Sequence, residues 1–305
     1  MRGVLICVGL VAALGYGASP CSTAPHLPGL PPSYRIKLER FIVPPNRIAG
    51  LLVKARINGG PLLRLLVDSG SQSVVLDRRA AARSGCSGGD DLDLVGAGAA
   101  SPAIAKRVRA DSLEVGDLTL RGLPLLISDR SLADGVQGVL PLSIFAGFLI
   151  HLDIPAKELD LLPYPEPADR AGALPILASN QLLFVKGTVN DTHEGYFLLD
   201  TGAAYTAISR NLARQLHVSE VMSDHVPLQG GIASIDAPLL SGSVRLRFAS
   251  THAAAGPVVA VDLATASRYH NLEISGLLGY SALRDSVLTV NYRDNLLRIE
   301  PKPRN

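Results

Sequence analysis

Two short segments of this chain each carry a carboxylate, a hydroxyl and a glycine directly after an apolar run. They are residues 65–70, which end in Asp-Ser-Gly, and residues 197–202, which end in Asp-Thr-Gly, 132 residues later. If Asp68 and Asp200 faced each other, they could share one proton, because two close like charges do not both ionise. Such a pair can take a proton from water and donate one to a carbonyl. Asp68 and Asp200 are therefore the candidate catalytic residues.

The two motifs belong to a longer internal repeat. Val53-Lys54 corresponds to Val185-Lys186 at the same offset of 132, and Gly138-Val139-Leu140 corresponds to Gly276-Leu277-Leu278 at an offset of 138. Loop insertions produce this slow drift between two copies of one folded unit. A single motif would be weak evidence, because turns favour small polar residues. Two motifs in register with a repeated unit are a strong signal.

The repeat sets the predicted boundaries of the folded units. The first unit spans residues 34–163 and the second spans residues 174–301, with a linker at residues 164–173 between them. Three prolines at and just after the end of the first unit make this stretch unsuitable for a helix or a central strand. We therefore expect the linker to lie on the surface.

Local patterns predict that both units consist mostly of strands. Asn58-Gly59-Gly60 is a turn signal between two apolar runs and indicates a hairpin. Asp77 and Ser209 are suitable N-caps for short helices at residues 78–83 and 210–216. The prediction is an all-β fold with a few short helices.

Composition and length argue against a nucleic-acid partner and allow two folded units. The 305 residues are 47% hydrophobic and 18% charged, with a net charge of +2. That charge is too close to neutral for a nucleic-acid-binding face, while the length suffices for two cored units. With three cysteines, one of them Cys7 in the apolar N-terminal run, we expect no disulfide framework.

The N-terminus resembles an export signal. Met1-Arg2 supplies a positive charge and residues 3–14 form an apolar run that is too short to span a membrane. We expect residues 1–24 to be a signal peptide and the protein to be secreted or periplasmic. A lipid anchor at Cys21 is the alternative that this segment leaves open.

These residues resemble the aspartic proteases of the retropepsin/pepsin group, and specifically a bacterial single-chain form with two retropepsin-like units. That family packs an apolar-apolar-Gly segment behind each catalytic loop. Leu277-Leu278-Gly279 fits this pattern, whereas Val139-Leu140-Pro141 has a proline in place of the glycine. The resemblance implies two β-barrel units related by a pseudo-twofold axis, with Asp68 and Asp200 as the catalytic pair at their interface.

The resemblance also implies supporting and covering residues. In this family, hydroxyl groups of the two loops interlock, and glycine-rich hairpin flaps close over the substrate. The residues that would support the pair are Ser69, Gly70, Ser71, Thr201 and Gly202. The flap residues that would contact the substrate are Gly96, Ala97, Gly98, Gly230 and Gly231.

The two loops differ chemically after the glycine. Ser71 follows the first motif, whereas Ala203 follows the second. A hydroxyl at this place could donate to the outer oxygen of Asp68 and favour its charged form. We therefore expect Asp68 to ionise first and Asp200 to hold the shared proton.

The implied function is an exported aspartic endopeptidase that acts on polypeptides, as a monomer without cofactor or metal. A catalytically idle peptide-binding module on the same scaffold is the alternative, and pairing of each unit with a second chain is a weaker one. Residues 85–89 match a serine-hydrolase elbow and residues 94–101 approach a dinucleotide fingerprint, but neither has the required strand and helix context. The histidines show no zinc-binding spacing.

Overall fold

A computed structural model describes residues 12–14, 33–95, 103–129, 132–165, 167–229, 234–241, 244–248, 251–253 and 257–302 of the chain. Strands make up most of this part of the chain, and the helices in it are short. The predicted all-β class is therefore confirmed.

Eleven of the described strands lie in the first half of the chain. They are β1 Ala12–Leu14, β2 Tyr34–Val43, β3 Arg47–Ile57, β4 Leu63–Asp68, β5 Val74–Asp77, β6 Asp90–Val95, β7 Ala103–Val115, β8 Leu118–Ser128, β9 Gly138–Pro141, β10 Leu149–Asp153 and β11 Glu158–Leu162. Helix α1, Arg78–Arg83, follows β5, and a 3₁₀ helix at Leu142–Phe145 follows β9. β1 lies inside the predicted signal segment and pairs with β6.

The described strands of the second half follow a similar order. They are β12 Leu174–Ser179, β13 Leu182–Val189, β14 His193–Leu199, β15 Thr206–Ser209, β16 Glu220–Gln229, β17 Ser234–Leu240, β18 Leu246–Phe248, β19 Thr251–Ala253, β20 Val258–Val261, β21 Ile274–Leu278, β22 Ser286–Asn291 and β23 Leu296–Pro301. The helices are α2 Arg210–Gln215, α3 Ala264–His270 and α4 Tyr280–Leu283.

The two halves share one strand topology around each motif. In the first half, β9 lies between β4, with which it is parallel, and β5, with which it is antiparallel. In the second half, β21 lies in the same way between β14 and β15. Because the strands before and after each motif are separated by a third strand, the connecting loop must pass over the end of that strand. Both candidate aspartates lie at these crossings.

A six-stranded sheet joins the two halves, in the order β2, β11, β10, β22, β23, β12. At its centre, β10 pairs antiparallel with β22 and His151 lies directly opposite Thr289. These two residues correspond to each other in the repeat, and their side chains are in contact at 3.2 Å. The pseudo-twofold axis therefore passes between them.

Burial on both faces explains why each aspartate reaches the interior. Leu65, Leu66 and Val67 of β4 are all buried, as are Phe197 to Leu199 of β14. Near-continuous apolar runs are typical of strands that are covered on both sides. A residue that lies at the end of such a buried strand therefore lies in the core.

Candidate active site

The two candidate catalytic side chains lie deep in the protein at equivalent positions. Asp68 is the last residue of β4 and is 1% exposed, and Asp200 directly follows β14 and is 0% exposed. The backbone N–H of Asp200 donates to the Leu278 carbonyl at 3.1 Å, which fixes the loop to the end of β21. Burial of an uncompensated carboxylate is costly, so two such groups need a specific arrangement.

The hydroxyl residues of the two motifs form a reciprocal set of hydrogen bonds. The Ser69 N–H donates to Thr201 Oγ1 and the Thr201 N–H donates to Ser69 Oγ, both at 3.0 Å. The Ser69 hydroxyl donates to the Leu199 carbonyl at 2.8 Å, and the Thr201 hydroxyl donates to the Val67 carbonyl at 2.9 Å. Each loop is therefore held by the strand of the opposite half. The interlocking that was predicted for Ser69 and Thr201 is present.

Backbone groups orient both carboxyls toward a shared centre. The Gly70 N–H donates to Asp68 Oδ1 at 2.7 Å, and the Ala203 N–H donates to Asp200 Oδ1 at 2.9 Å. Gly202 lies against the opposite aspartate, since a Cβ at this position would be 2.4 Å from Asp68 Cγ. A glycine is required here because any side chain would displace the carboxyl.

Burial and mutual repulsion raise the pKa of both carboxyl groups. Burial raises the pKa of Asp68 to about 7, and the Gly70 N–H partly opposes this shift. Burial and then the negative charge of Asp68 raise the pKa of Asp200 well above its ordinary value. Because both pKa values are raised and the two groups interact, the pair holds one proton over a wide pH range and titrates as a unit. That Asp68 ionises before Asp200 stays a prediction.

The cause proposed for that order is wrong. The Ser71 hydroxyl donates to the Ser73 carbonyl at 3.0 Å and does not contact the Asp68 carboxyl. Each carboxyl instead accepts a hydrogen bond from a backbone N–H of its own loop, Gly70 for Asp68 and Ala203 for Asp200. Ser71 contributes to the loop turn, and its side chain does not support the pair directly.

Substitution of Ser71 is therefore expected to leave the ionisation of the pair unchanged. Ser71→Ala should keep the acid limb of the pH–rate profile within about 0.3 pH units of wild type, because no hydrogen bond to Asp68 is lost. The profile of kcat/KM for a peptide substrate is the measurement. An acid limb that moves upward in this variant would mean that the hydroxyl turns toward Asp68 when substrate is bound.

The proline at position 141 of the first unit goes with a second difference between the two units, at the position that Thr206 occupies in the second unit. In the second unit, the Gly279 N–H donates to Thr206 Oγ1 at 3.3 Å, and the Ser281 hydroxyl donates to the same oxygen at 3.1 Å. In the first unit these places hold Pro141, which has no N–H, and Val74, which has no acceptor. The two departures occur together, and β9 still pairs with β4 through Pro141. Thr206 could have been found as a repeat position where the hydroxyl appears in one copy only.

The predicted flap residues Gly96, Ala97, Gly98, Gly230 and Gly231 lie outside the described residues. The strands that flank them are described. β6 pairs antiparallel with β7, and β16 pairs antiparallel with β17 up to Gln229 and Ser234. Each predicted flap therefore connects the two strands of a hairpin.

Within the described part of the chain, no three His, Cys, Asp or Glu side chains are grouped closely enough to hold a metal ion. In the same residues, no helix combines the length and the apolar character needed to cross a membrane.

Comparisons with known proteins agree with this geometry. A family model described as aspartyl protease matches residues 53–143 and 185–282, and each segment contains one of the two motifs. The fold is similar to that of an aspartic proteinase from Irpex lacteus with a TM-score of 0.55, covering 88% of this chain and 97% of that chain. Sequence identity between the two is 11%, so this likeness concerns the fold alone. A search of curated proteins gave no significant match.

Proposed function

This chain belongs to the aspartyl protease family, and from that premise we propose that it is an endopeptidase in which Asp68 and Asp200 activate the attacking water. The observation that supports this best is that the two aspartate carboxyls are fully buried in adjacent loops. These loops, one from each half of the chain, are hydrogen-bonded to each other. A structural role alone would not require two such costly groups side by side.

The proposed chemistry needs one proton on the pair, which the raised pKa values of both buried carboxyls favour. In this proposal, Asp68 carries the charge and Asp200 carries the proton. The Asp68 carboxylate takes a proton from water as the water oxygen attacks the peptide carbonyl carbon, while Asp200 donates its proton to the carbonyl oxygen. When the tetrahedral diol collapses, the C–N bond breaks, Asp68 gives its proton to the leaving nitrogen, and Asp200 takes a proton back from a diol hydroxyl. The pair is thereby restored, and no covalent enzyme intermediate forms.

Hydrolysis of an unfolded protein is the direct test of this proposal. The purified chain is expected to cut a denatured substrate protein into fragments, and a statine-type transition-state analogue is expected to block the cutting. A protein that binds the analogue but leaves the substrate intact would be the idle peptide-binding module. A protein that neither binds nor cuts would contradict the proposed function altogether.

We also propose that the protein is exported, on the basis of Met1-Arg2 and the apolar run at residues 3–14. N-terminal sequencing of the protein recovered from outside the cytoplasm is expected to begin after about residue 24. Loss of membrane attachment in Cys21→Ser would instead assign a lipid anchor to that cysteine.

A further inference from the structure

A pocket of about 420 Å³ lies beside the catalytic loop of the second half and opens to solvent. Its lining includes the turn between β2 and β3, with Arg47, and it also includes Tyr205, His225 and Val226. Pockets that bind ligands commonly enclose about 300–1,000 Å³, so this one can accept one or two amino-acid side chains.

Three elements of the proposed active site meet at this pocket. Tyr205 lies in the loop that begins with Asp200, and His225 lies on β16, which leads into the second predicted flap. β3 runs past the same loop, because a Cβ at Gly50 would be 3.7 Å from the Thr201 carbonyl oxygen. A peptide that reached the two aspartates could therefore place a nearby side chain here.

Arg47 is the group that gives the pocket its chemistry. Its guanidinium stacks over the Tyr205 ring at 4.6 Å, and its Nε is buried without a hydrogen-bond partner among the described residues. Burial lowers its pKa, and no neighbouring carboxylate raises it. The guanidinium nevertheless stays charged, because its ordinary pKa lies far above neutral.

The other polar side chains at the pocket do not neutralise Arg47. Besides Tyr205, the titratable side chain that shares the lining is His225, and its Nδ1 lies 3.2 Å from Asp236 Oδ2. Asp236 is therefore already paired with the histidine. Because Nε is buried, the terminal guanidinium nitrogens are the donors of Arg47 that an anion in the cavity could reach. They form no hydrogen bond or ion pair with the described residues, and the Tyr205 ring holds the guanidinium from one side, which suits them to receive an anion from outside.

We propose that the Arg47 pocket is a specificity subsite that binds the carboxylate of a Glu or Asp side chain close to the scissile bond of a polypeptide substrate. This inference rests on the proposed function. The guanidinium would donate two parallel hydrogen bonds to the carboxylate, which is the geometry that arginine forms best. Tyr205 keeps the guanidinium plane in place and excludes water from one of its faces.

A positional scan of blocked peptides tests the proposal. In an acetylated and amidated peptide that the enzyme cleaves, one Glu or one Gln is moved through the residues on both sides of the scissile bond. We expect one position at which Glu raises kcat/KM about 10- to 100-fold over Gln, as a charge-assisted hydrogen bond would. No preference at any position would overturn the proposal. A preference seen only with a free C-terminal carboxylate would also overturn the side-chain assignment.

Substitution of Arg47 links that preference to the pocket. Arg47→Gln is expected to reduce the Glu-to-Gln ratio to within about threefold of one, and Arg47→Lys is expected to keep an intermediate ratio. Arg79→Gln is the matched control, because this arginine lies on the exposed side of α1 and its removal changes the net charge equally. A ratio that survives in Arg47→Gln would contradict the assignment.

A binding measurement separates this proposal from the proposed function. Pairs of statine-type peptides, in which the members of each pair differ only by Glu or Gln at one position on either side of the statine, are titrated into wild type and Arg47→Gln by calorimetry. If the protein cleaves no peptide but wild type alone prefers the Glu peptide, the endopeptidase proposal fails and the Arg47 pocket stands. If peptides are cleaved but both proteins bind the two analogues equally, the endopeptidase proposal stands and the pocket assignment fails.

Discussion

Replacement of Asp200 by asparagine is expected to reduce peptide cleavage at least about 1,000-fold while the protein stays as stable as wild type or becomes more stable. General acid–base groups contribute about 100- to 10,000-fold each, and neither carboxyl can replace the other in a pair that shares one proton. Asp68→Asn should have the same effect. kcat/KM with a quenched fluorescent peptide measures activity, and thermal unfolding measures stability.

The stability gain should depend on pH in a defined direction. Both carboxyls have pKa values raised above 3.8 in the folded protein, so folding takes up protons at pH values where the unfolded chain is charged. Stability of the wild type therefore falls as pH rises from about 4 toward neutral. The advantage of Asp200→Asn should appear across that window and vanish below about pH 4.

An exposed aspartate provides the control for this prediction. Asp117 lies in the turn between β7 and β8 with its side chain in solvent, and Asp117→Asn should change neither activity nor the pH dependence of unfolding. Retention of most activity in either dyad variant would refute the catalytic assignment. A variant of Asp68 or Asp200 that loses stability near pH 7 would mean that the charged pair stabilises the fold.

Gly202→Ala is expected to remove activity by a different route. The added methyl group would lie 2.4 Å from Asp68 Cγ, so the carboxyl or the loop must move. A displacement of about 1 Å at a reacting group can cost about 100-fold in rate, and overpacking of this kind costs about 1–3 kcal/mol of stability. Chemical denaturation and kcat/KM should both register the change.

A double variant tests whether the contact between a Cβ at position 202 and the Asp68 carboxyl causes the loss of stability. Asp68→Ala removes Cγ and both carboxyl oxygens, so Gly202→Ala added to Asp68→Ala should cost much less stability than it does in wild type. Activity should remain absent in the double variant. An equal stability cost in both backgrounds would place the strain elsewhere, for example in the loop backbone.

The local elements that the sequence predicts best are those with a capping side chain. Asp77 accepts a hydrogen bond from the Ala80 N–H at the start of α1, and Ser209 accepts one from Leu212 at the start of α2, as expected. Both helices begin at the predicted residue. Helix α3 was missed, because its N-cap is Leu263, whose side chain makes no cap hydrogen bond. The first N–H of α3 is bonded from one residue earlier instead, since Asp262 Oδ1 accepts a hydrogen bond from the Ala264 N–H at 2.9 Å.

In the candidate site, too, some features follow from sequence motifs and others depend on how the folded chain packs. Two motifs in register suffice to predict the aspartates, and the interlocking hydroxyls followed only from the family resemblance. The direction of the Ser71 hydroxyl depends on the rotamer chosen within one loop, and the sequence alone could not decide it. Arg47 and Tyr205 are 158 residues apart and belong to no motif, so only the folded arrangement brings them together.

The axis between His151 and Thr289 has a consequence for how a polypeptide enters the site. A polypeptide has a direction, whereas a site with perfect twofold symmetry accepts it equally well in both directions. Because both halves are encoded in one chain here, a residue on one side of the axis need not recur on the other, and the repeat position of Arg47 holds Ser179. If the site binds polypeptides as proposed, the tandem chain can therefore distinguish the amino end of a bound peptide from its carboxyl end.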